Sequence, residues 1–190
     1  MSSRIVLMTA FLLPLVAIGC SAAPSGWKTY QSQSFPFSIS YPADYVLNDH
    51  FTYDALGPGK DIHGVSVTIP ERLAQGTNLS SDTRLSVEVL PNARVCTPNL
   101  FLDNVTETRV EREGDLSFNV AESGDAGAGN FYEETVFAVS NSATCVAVRY
   151  FIHSHNIGNY DPGSVKAFDR AALVRAFDDI RKTLVVASAR

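Results

Sequence analysis

Phe35-Pro-Phe-Ser-Ile-Ser-Tyr-Pro42 decides the fold class, because its apolar residues recur at every second position with Pro36, Ser38 and Ser40 between them. Side chains two apart share a face of an extended chain, so Phe35, Phe37, Ile39 and Tyr41 predict a strand buried on one side. Pro42 closes it. Pro36 cannot donate to a ladder, which marks either a sheet edge or the point where the strand begins. Working outward, Val65-Ser-Val-Thr-Ile69 and Leu85-Ser-Val-Glu-Val89 repeat the alternation with β-branched and aliphatic residues. Residues 106–112, 116–122, 131–140 and 144–153 read as four further strands. They are separated by Gly114, by the segment from Gly124 to Asn130 and by an Asn141-Ser142 turn, so four neighbouring antiparallel strands are expected. Between them, Thr97-Pro98 reads as the cap and first position of a short helical turn.

At the C-terminal end the period changes to that of a helix. Leu173, Phe177, Ile180 and Leu184 form one stripe with Val174 and Ala176 beside it. Asp169 is the predicted N-cap. Phe168 and Leu173 occupy the positions of a hydrophobic staple, while Arg181 and Lys182 lie where the helix dipole favours cations. The expectation is an α+β fold: an antiparallel β-sheet meander of roughly six to eight strands, with a C-terminal amphipathic helix packed on it. The 190 residues are 45% hydrophobic and 18% charged, with 12 Gly and 9 Pro. That composition excludes disordered and collagenous classes and fits one domain, placed at residues 27–190.

The strand ending in Phe37-Ser-Ile-Ser-Tyr-Pro-Ala-Asp44, the meander and the terminal helix together resemble the PsbP-like fold over most of residues 27–187. Phe151-Ile-His-Ser-His-Asn-Ile-Gly-Asn-Tyr160 and Phe168-Asp-Arg-Ala-Ala-Leu173 are similar to exported bacterial proteins of uncharacterised role. The PsbP-like resemblance implies binding and assembly roles without catalysis, at the level of fold analogy.

Residues 1–19 carry one charge, Arg4, and then an apolar run from Ile5 to Ile18. This is the layout of an export leader and is short for a membrane-spanning helix. Val16-Ala-Ile-Gly-Cys20 resembles the lipobox of bacterial lipoproteins. The resemblance implies cleavage before Cys20, lipidation of Cys20, and a short tether at residues 20–26 holding the domain to a membrane. Ser21, not Asp, follows the cysteine, which in such lipoproteins goes with the outer membrane, facing the periplasm. Two or more acyl chains anchor a protein stably. Loss of Arg4 with the leader takes the net charge from −5 to −6, which disfavours nucleic acid as a partner. With Cys20 lipidated, Cys96 and Cys145 remain as a pair in an oxidising compartment, so a disulfide between them is expected.

The residues that could carry chemistry are few. His153 and His155 are two apart on a predicted strand and so share a face. A metal site would need more ligands, with His63, Asp161 and His50 as the candidates. Ser154, between them, projects to the opposite face, which argues against a Ser-His pair. Gly124-Asp-Ala-Gly-Ala-Gly129 lacks the Lys-Ser/Thr ending of a phosphate loop and reads as a hairpin tip. From Asp103 to Glu134 nine acidic residues face only Arg109 and Arg112, the composition of a solvated surface. Asn156 to Gly163 is a long polar loop leaving a buried strand, and such loops often bind. Its asparagines serve equally well as turn formers. His153, His155, Asn156, Asn159 and Tyr160 are therefore the expected binding residues, with no catalytic or metal-ligand set and no cofactor.

The resulting expectation is a membrane-anchored lipoprotein with an envelope-protein partner and a non-enzymatic binding or assembly role. Two alternatives remain open: a small hydrolase or metal-dependent enzyme using His153 and His155, and a carrier of a small apolar ligand held between sheet and helix.

Overall fold

A computed structural model describes residues 24–186 except 36, 106, 141 and 143. The predicted leader at 1–19, the predicted lipidation site Cys20, Pro36 and the first residue of the Asn141-Ser142 turn lie outside the described residues. Ten strands are described: β1 (Trp27–Gln31), β2 (Phe37–Pro42), β3 (Val46–Tyr53), β4 (Ile62–Thr68), β5 (Arg84–Leu90), β6 (Arg109–Glu113), β7 (Leu116–Gly127), β8 (Asn130–Val139), β9 (Cys145–His155) and β10 (Val185–Val186). Two helices, α1 (Glu71–Ala74) and α2 (Arg170–Arg181), and two 3₁₀ turns, Pro98–Leu100 and Ile157–Asn159, complete the fold.

All pairings between strands are antiparallel. They build two sheets, where a single meander was expected: a small one in the order β1-β2-β10 and a large one in the order β3-β4-β5-β9-β8-β7-β6. The large sheet is two meanders. After β5 the chain crosses one face to the far edge, then returns through β6, β7 and β8 until β9 pairs with β5. That crossing segment carries Cys96, which bonds to Cys145 at the start of β9 with their Cα atoms 4.9 Å apart. The expected disulfide is present.

The decisive stretch folds as its alternation requires, with Phe37, Ile39 and Tyr41 buried. It is not an edge: β2 is central, between β1 and β10, and begins at Phe37, just after Pro36. Thr183, beyond α2, locks it by accepting from Ser40 N at 2.8 Å and donating to Ser40 O at 3.0 Å. Helix α2 has the predicted cap, Asp169 Oδ1 accepting from Ala172 N at 2.9 Å, and buries Leu173, Phe177 and Ile180. Arg181 stands in the last turn of α2, where the dipole reading expects a cation, and it does more there. It is buried, donates to Glu113 and to the Tyr150 hydroxyl, and lies over the Phe137 ring at 4.2 Å.

Each face of the large sheet has its own core. The first packs Val65, Val87, Val148, Phe118 and Phe137 against β2 and α2. The second packs Ile62, Val136, Ala138 and Ala147 under the crossing segment, with Phe101 fully buried. The segment at 124–130 is mostly strand: β7 runs to Gly127 and pairs with β8, leaving Ala128 (φ 50°) and Gly129 (φ 81°) as a two-residue turn. Two positive φ angles are what the right-handed twist of a tight hairpin demands.

Candidate functional site

The crossing segment covers the Cys145 end of the second face. Toward the His155 end that face is open, and the side chains there are aromatic, cationic and imidazole, all half-buried. Strand alternation puts Phe151, His153 and His155 of β9 on this side, flanked by Arg84 of β5, and by Asn130, Tyr132 and Glu134 of β8, with the fully buried Arg149 next along β9 toward the crossing segment. Phe51 of β3 joins them.

His153 is the centre. Its Nδ1 meets Asp82 Oδ1 at 2.8 Å and its Nε2 meets Asn130 Oδ1 at 2.9 Å. The Asn130 amide is oriented by its Nδ2, which donates to the carbonyls of Gly127 and Ala128. The ring stacks on Tyr132 with centroids 4.5 Å apart and meets His155 edge-on at 5.2 Å. The His153 backbone is tied to Thr83, which donates to its carbonyl and accepts from its N–H. Burial works against the charge of Asp82, but hydrogen bonds from Ser80 and His153 and the fields of His153 and Arg84 outweigh it and lower its pKa.

The remaining predicted residues fall beside it. His155 Nδ1 pairs with the Tyr160 hydroxyl at 2.8 Å. Asn156 Oδ1 accepts from Gly158 N at 2.9 Å, and Asn156 N donates to Gly129 O at 2.8 Å. Asn159 Nδ2 reaches the same Gly129 carbonyl at 3.5 Å. The loop is thus stitched to the hairpin tip, and its asparagines do the turn-forming work that was the alternative to binding. All five predicted residues come together, but as two imidazole-centred pairs held on a backbone scaffold.

Beside His153, Arg84 lies between two rings, its Cζ 4.0 Å from the Phe151 centroid and 5.3 Å from that of Phe51. Burial lowers its pKa, against the fields of Asp82, Glu134 and Glu88. Beside the strip, on the same face and toward the Cys145 end of β9, is a closed ionic cluster. Arg149 Nε donates to Glu88 Oε1 at 2.7 Å and Nη2 to Glu88 Oε2 at 2.8 Å, with a further bond from Nη2 to Phe101 O at 2.7 Å. Its Nη1 bonds to Glu134. Tyr53 lies under the guanidinium at 3.5 Å and donates to Glu134, and Ser86 donates to Glu88 at 2.7 Å. The Tyr53 hydroxyl is pushed far up by burial.

This arrangement limits the chemistry. An Asp-His pair is present, yet the position a nucleophilic hydroxyl would take at Nε2 is held by the Asn130 carbonyl oxygen. Ser154 is buried on the opposite face, where it bridges to Leu79. His50 and His63 line a separate groove of about 330 Å³ with Tyr30, Phe35 and Asp49, and His63 Nδ1 meets Thr52 Oγ1 at 3.0 Å. They do not converge with His153. Among the described residues no three His, Cys, Asp or Glu side chains converge as a metal-binding group. What the strip offers is a firm, half-buried surface rich in Tyr, Phe and Arg, the residue types that anchor protein interfaces.

No protein-family model matches this chain, and no curated protein matches it. Among solved structures it is similar to the solution structure of cyanobacterial PsbP (CyanoP) from Synechocystis sp. PCC 6803. The TM-score is 0.50 at 11% identity, over 90% of this chain and 99% of that one. The fold is PsbP-like; at this identity the likeness speaks to fold alone.

Proposed function

We propose that this chain is a lipid-anchored binding or assembly module of the cell envelope, attached through Cys20 to the outer membrane on its periplasmic side, and that it does no chemistry of its own. The strip formed by Phe51, Arg84, Phe151, Tyr132, His153 and His155 is the surface that receives an envelope protein. The observation that carries this reading is the state of His153: both ring nitrogens are occupied by Asp82 and Asn130 and its face by Tyr132. A general base must keep a nitrogen for the reacting group. A recognition surface gains from such locking, because little side-chain freedom is left to lose on binding.

The test has two parts. Intact mass of the protein from its own membranes should show the chain beginning at Cys20 with added diacylglycerol and acyl mass; an unmodified Cys20 would end the anchor reading. A photo-crosslinking residue in place of Tyr132 should then capture a discrete partner that the same probe at Val95, at the other end of the domain, does not. Equal capture at both positions would remove the strip from the proposal.

One observation favours a second reading, the apolar carrier. Leu73, Leu79, Phe168, Ala172, Leu173 and Ala176 line a pocket of about 230 Å³ between α1 and the first turns of α2. An apolar cavity of roughly 150 Å³ is enough to hold benzene. The pocket lies between the helices and residues 77–79, and not between sheet and helix as expected. Native mass spectrometry of protein purified without detergent would show a bound apolar molecule if this reading holds.

A further inference from the structure

Exposed apolar side chains stand at both ends of the large sheet: Phe131 and Ile157 at the hairpin and loop end, Val95 at the end where β9 begins. Which of them meets a membrane is decided by where the chain enters the domain. Trp27 pairs with Pro42, Tyr45 N bonds to Pro42 O, and Val46 lies in one row with Thr68, Arg84, Phe151 and Glu134. The chain therefore enters near the level of that row. Phe131 is three residues beyond Glu134 on β8, about 10 Å farther along the strand. Cys145, at the other end of β9, is six residues before Phe151, about 20 Å the other way, and Val95 lies at that end.

Three residues lie between Cys20 and Pro24, the first described residue, and the four Cα-to-Cα steps span at most about 14 Å. That covers the overhang of Phe131 and falls short of the Val95 end. We propose that the hairpin tip and the Ile157 turn rest on the bilayer surface, with Phe131 and Ile157 entering the interface and Tyr160 at headgroup level, so that the aromatic strip faces sideways along the membrane. This orientation rests on the Cys20 anchor proposed above. The surroundings suit a lipid interface that is not strongly anionic: Asp125, Glu133 and Asp161 stand near the tip with Lys166 and Arg170. Two partly exposed apolar side chains bind a bilayer weakly on their own, but a short tether raises the local concentration to about the millimolar range, where weak contacts become populated.

The experiment fixes the anchor chemically. The chain from Cys20 onward, with Cys96 and Cys145 oxidised, has one free thiol, which is coupled to a maleimide lipid in phosphatidylcholine nanodiscs carrying a gadolinium-chelating lipid. Paramagnetic broadening of backbone amides at 128–132 and 157–160 should exceed that at 93–96 at least fivefold. Phe131→Ser with Ile157→Ser should bring the ratio close to one while circular dichroism and the disulfide stay unchanged. Adding phosphatidylglycerol should lower the ratio. Equal broadening at both ends of the wild-type chain, or stronger broadening at 93–96, would overturn the orientation. Because the anchor is installed in vitro, this result is separate from whether cells lipidate Cys20, which the intact-mass measurement answers.

Discussion

Removing Arg149 tests whether the ionic cluster holds the strip in place. The side chains of Arg149 and Glu88 are both fully buried, and Glu134 is nearly so. In an Arg149→Met variant the apolar volume is largely kept, but Glu88 retains only the Ser86 hydroxyl as a partner and Phe101 O loses its donor. Breaking a buried pair from one side costs about 3–5 kcal/mol, since the remaining charge stays desolvated and uncompensated. With a urea slope of about 2 kcal/mol per M, the unfolding midpoint should fall by roughly 2 M. Domains of this kind have about 5–15 kcal/mol in total, so the variant should still fold.

The double variant is the stricter part. The penalty comes from Glu88 left without its partner in a desolvated cluster. Adding Glu88→Leu to Arg149→Met removes the stranded charge and should recover a large part of the loss at neutral pH. Equilibrium urea unfolding at pH 7 on the two variants and the wild type measures both. A loss under about 1 kcal/mol in Arg149→Met, or one that Glu88→Leu does not reduce, would show that the cluster is not the desolvated closed network described.

Gly64→Ala should lower stability by about 2 kcal/mol or more, since an added Cβ would stand 2.1 Å from the Val87 carbonyl oxygen; a melting temperature within 2 °C of wild type would contradict that close approach. Asp82→Asn should change stability by under about 1 kcal/mol at pH 7, because Asp82 is half exposed. The folded pKa of Asp82 is depressed, so its contribution is present above its unfolded value near 3.9 and lost as pH falls through the folded value; Asp82→Asn should flatten the melting curve in that acid range alone. Cys96→Ser with Cys145→Ser opens a 49-residue closure and should cost up to about 4 kcal/mol, read from urea midpoints with and without reductant.

The parts of the fold that could be read in advance are those whose determinants are local. Phe37, Ile39 and Tyr41 announce β2 by alternation alone, and the Leu173-Phe177-Ile180 stripe with Asp169 announces α2 and its cap. Other elements were hidden by composition. In β3, Val46-Leu-Asn-Asp-His-Phe-Thr-Tyr53 shifts register between Asn48 and Phe51, which breaks the period that would have marked it. The crossing segment that carries Cys96 and Phe101 over the second face turns one expected meander into two, and no local signal specifies a crossing. Arg149 shares a face with His153, and alternation does not tell that Phe101 and the crossing segment bury it completely.

The site shows the same division. That His153 and His155 share a face followed from their spacing; what the imidazoles meet did not. Asp82 arrives from the turn before β5 and Asn130 from the start of β8, 71 and 23 residues away. Only the pairing of β5 with β9 and β9 with β8 makes them neighbours. That pairing also explains why aromatic side chains can stand on an open sheet face without collapsing onto one another. The Arg149 cluster ties β3, β5, β8 and β9 together beside them on the same face through Tyr53, Glu88 and Glu134. Phe51, Arg84, Phe151 and Tyr132 therefore border a cluster that is fixed before any partner arrives. A surface fixed in this way binds with less ordering cost than a mobile loop would. It follows that Arg149→Met, although far from solvent, should weaken partner capture at Tyr132 along with stability, whereas Ile180→Ala, a truncation in the core of the opposite face that costs about 2–5 kcal/mol, should weaken capture less. Equal losses of capture in the two variants would mean that stability alone, and not the ionic cluster, supports the strip.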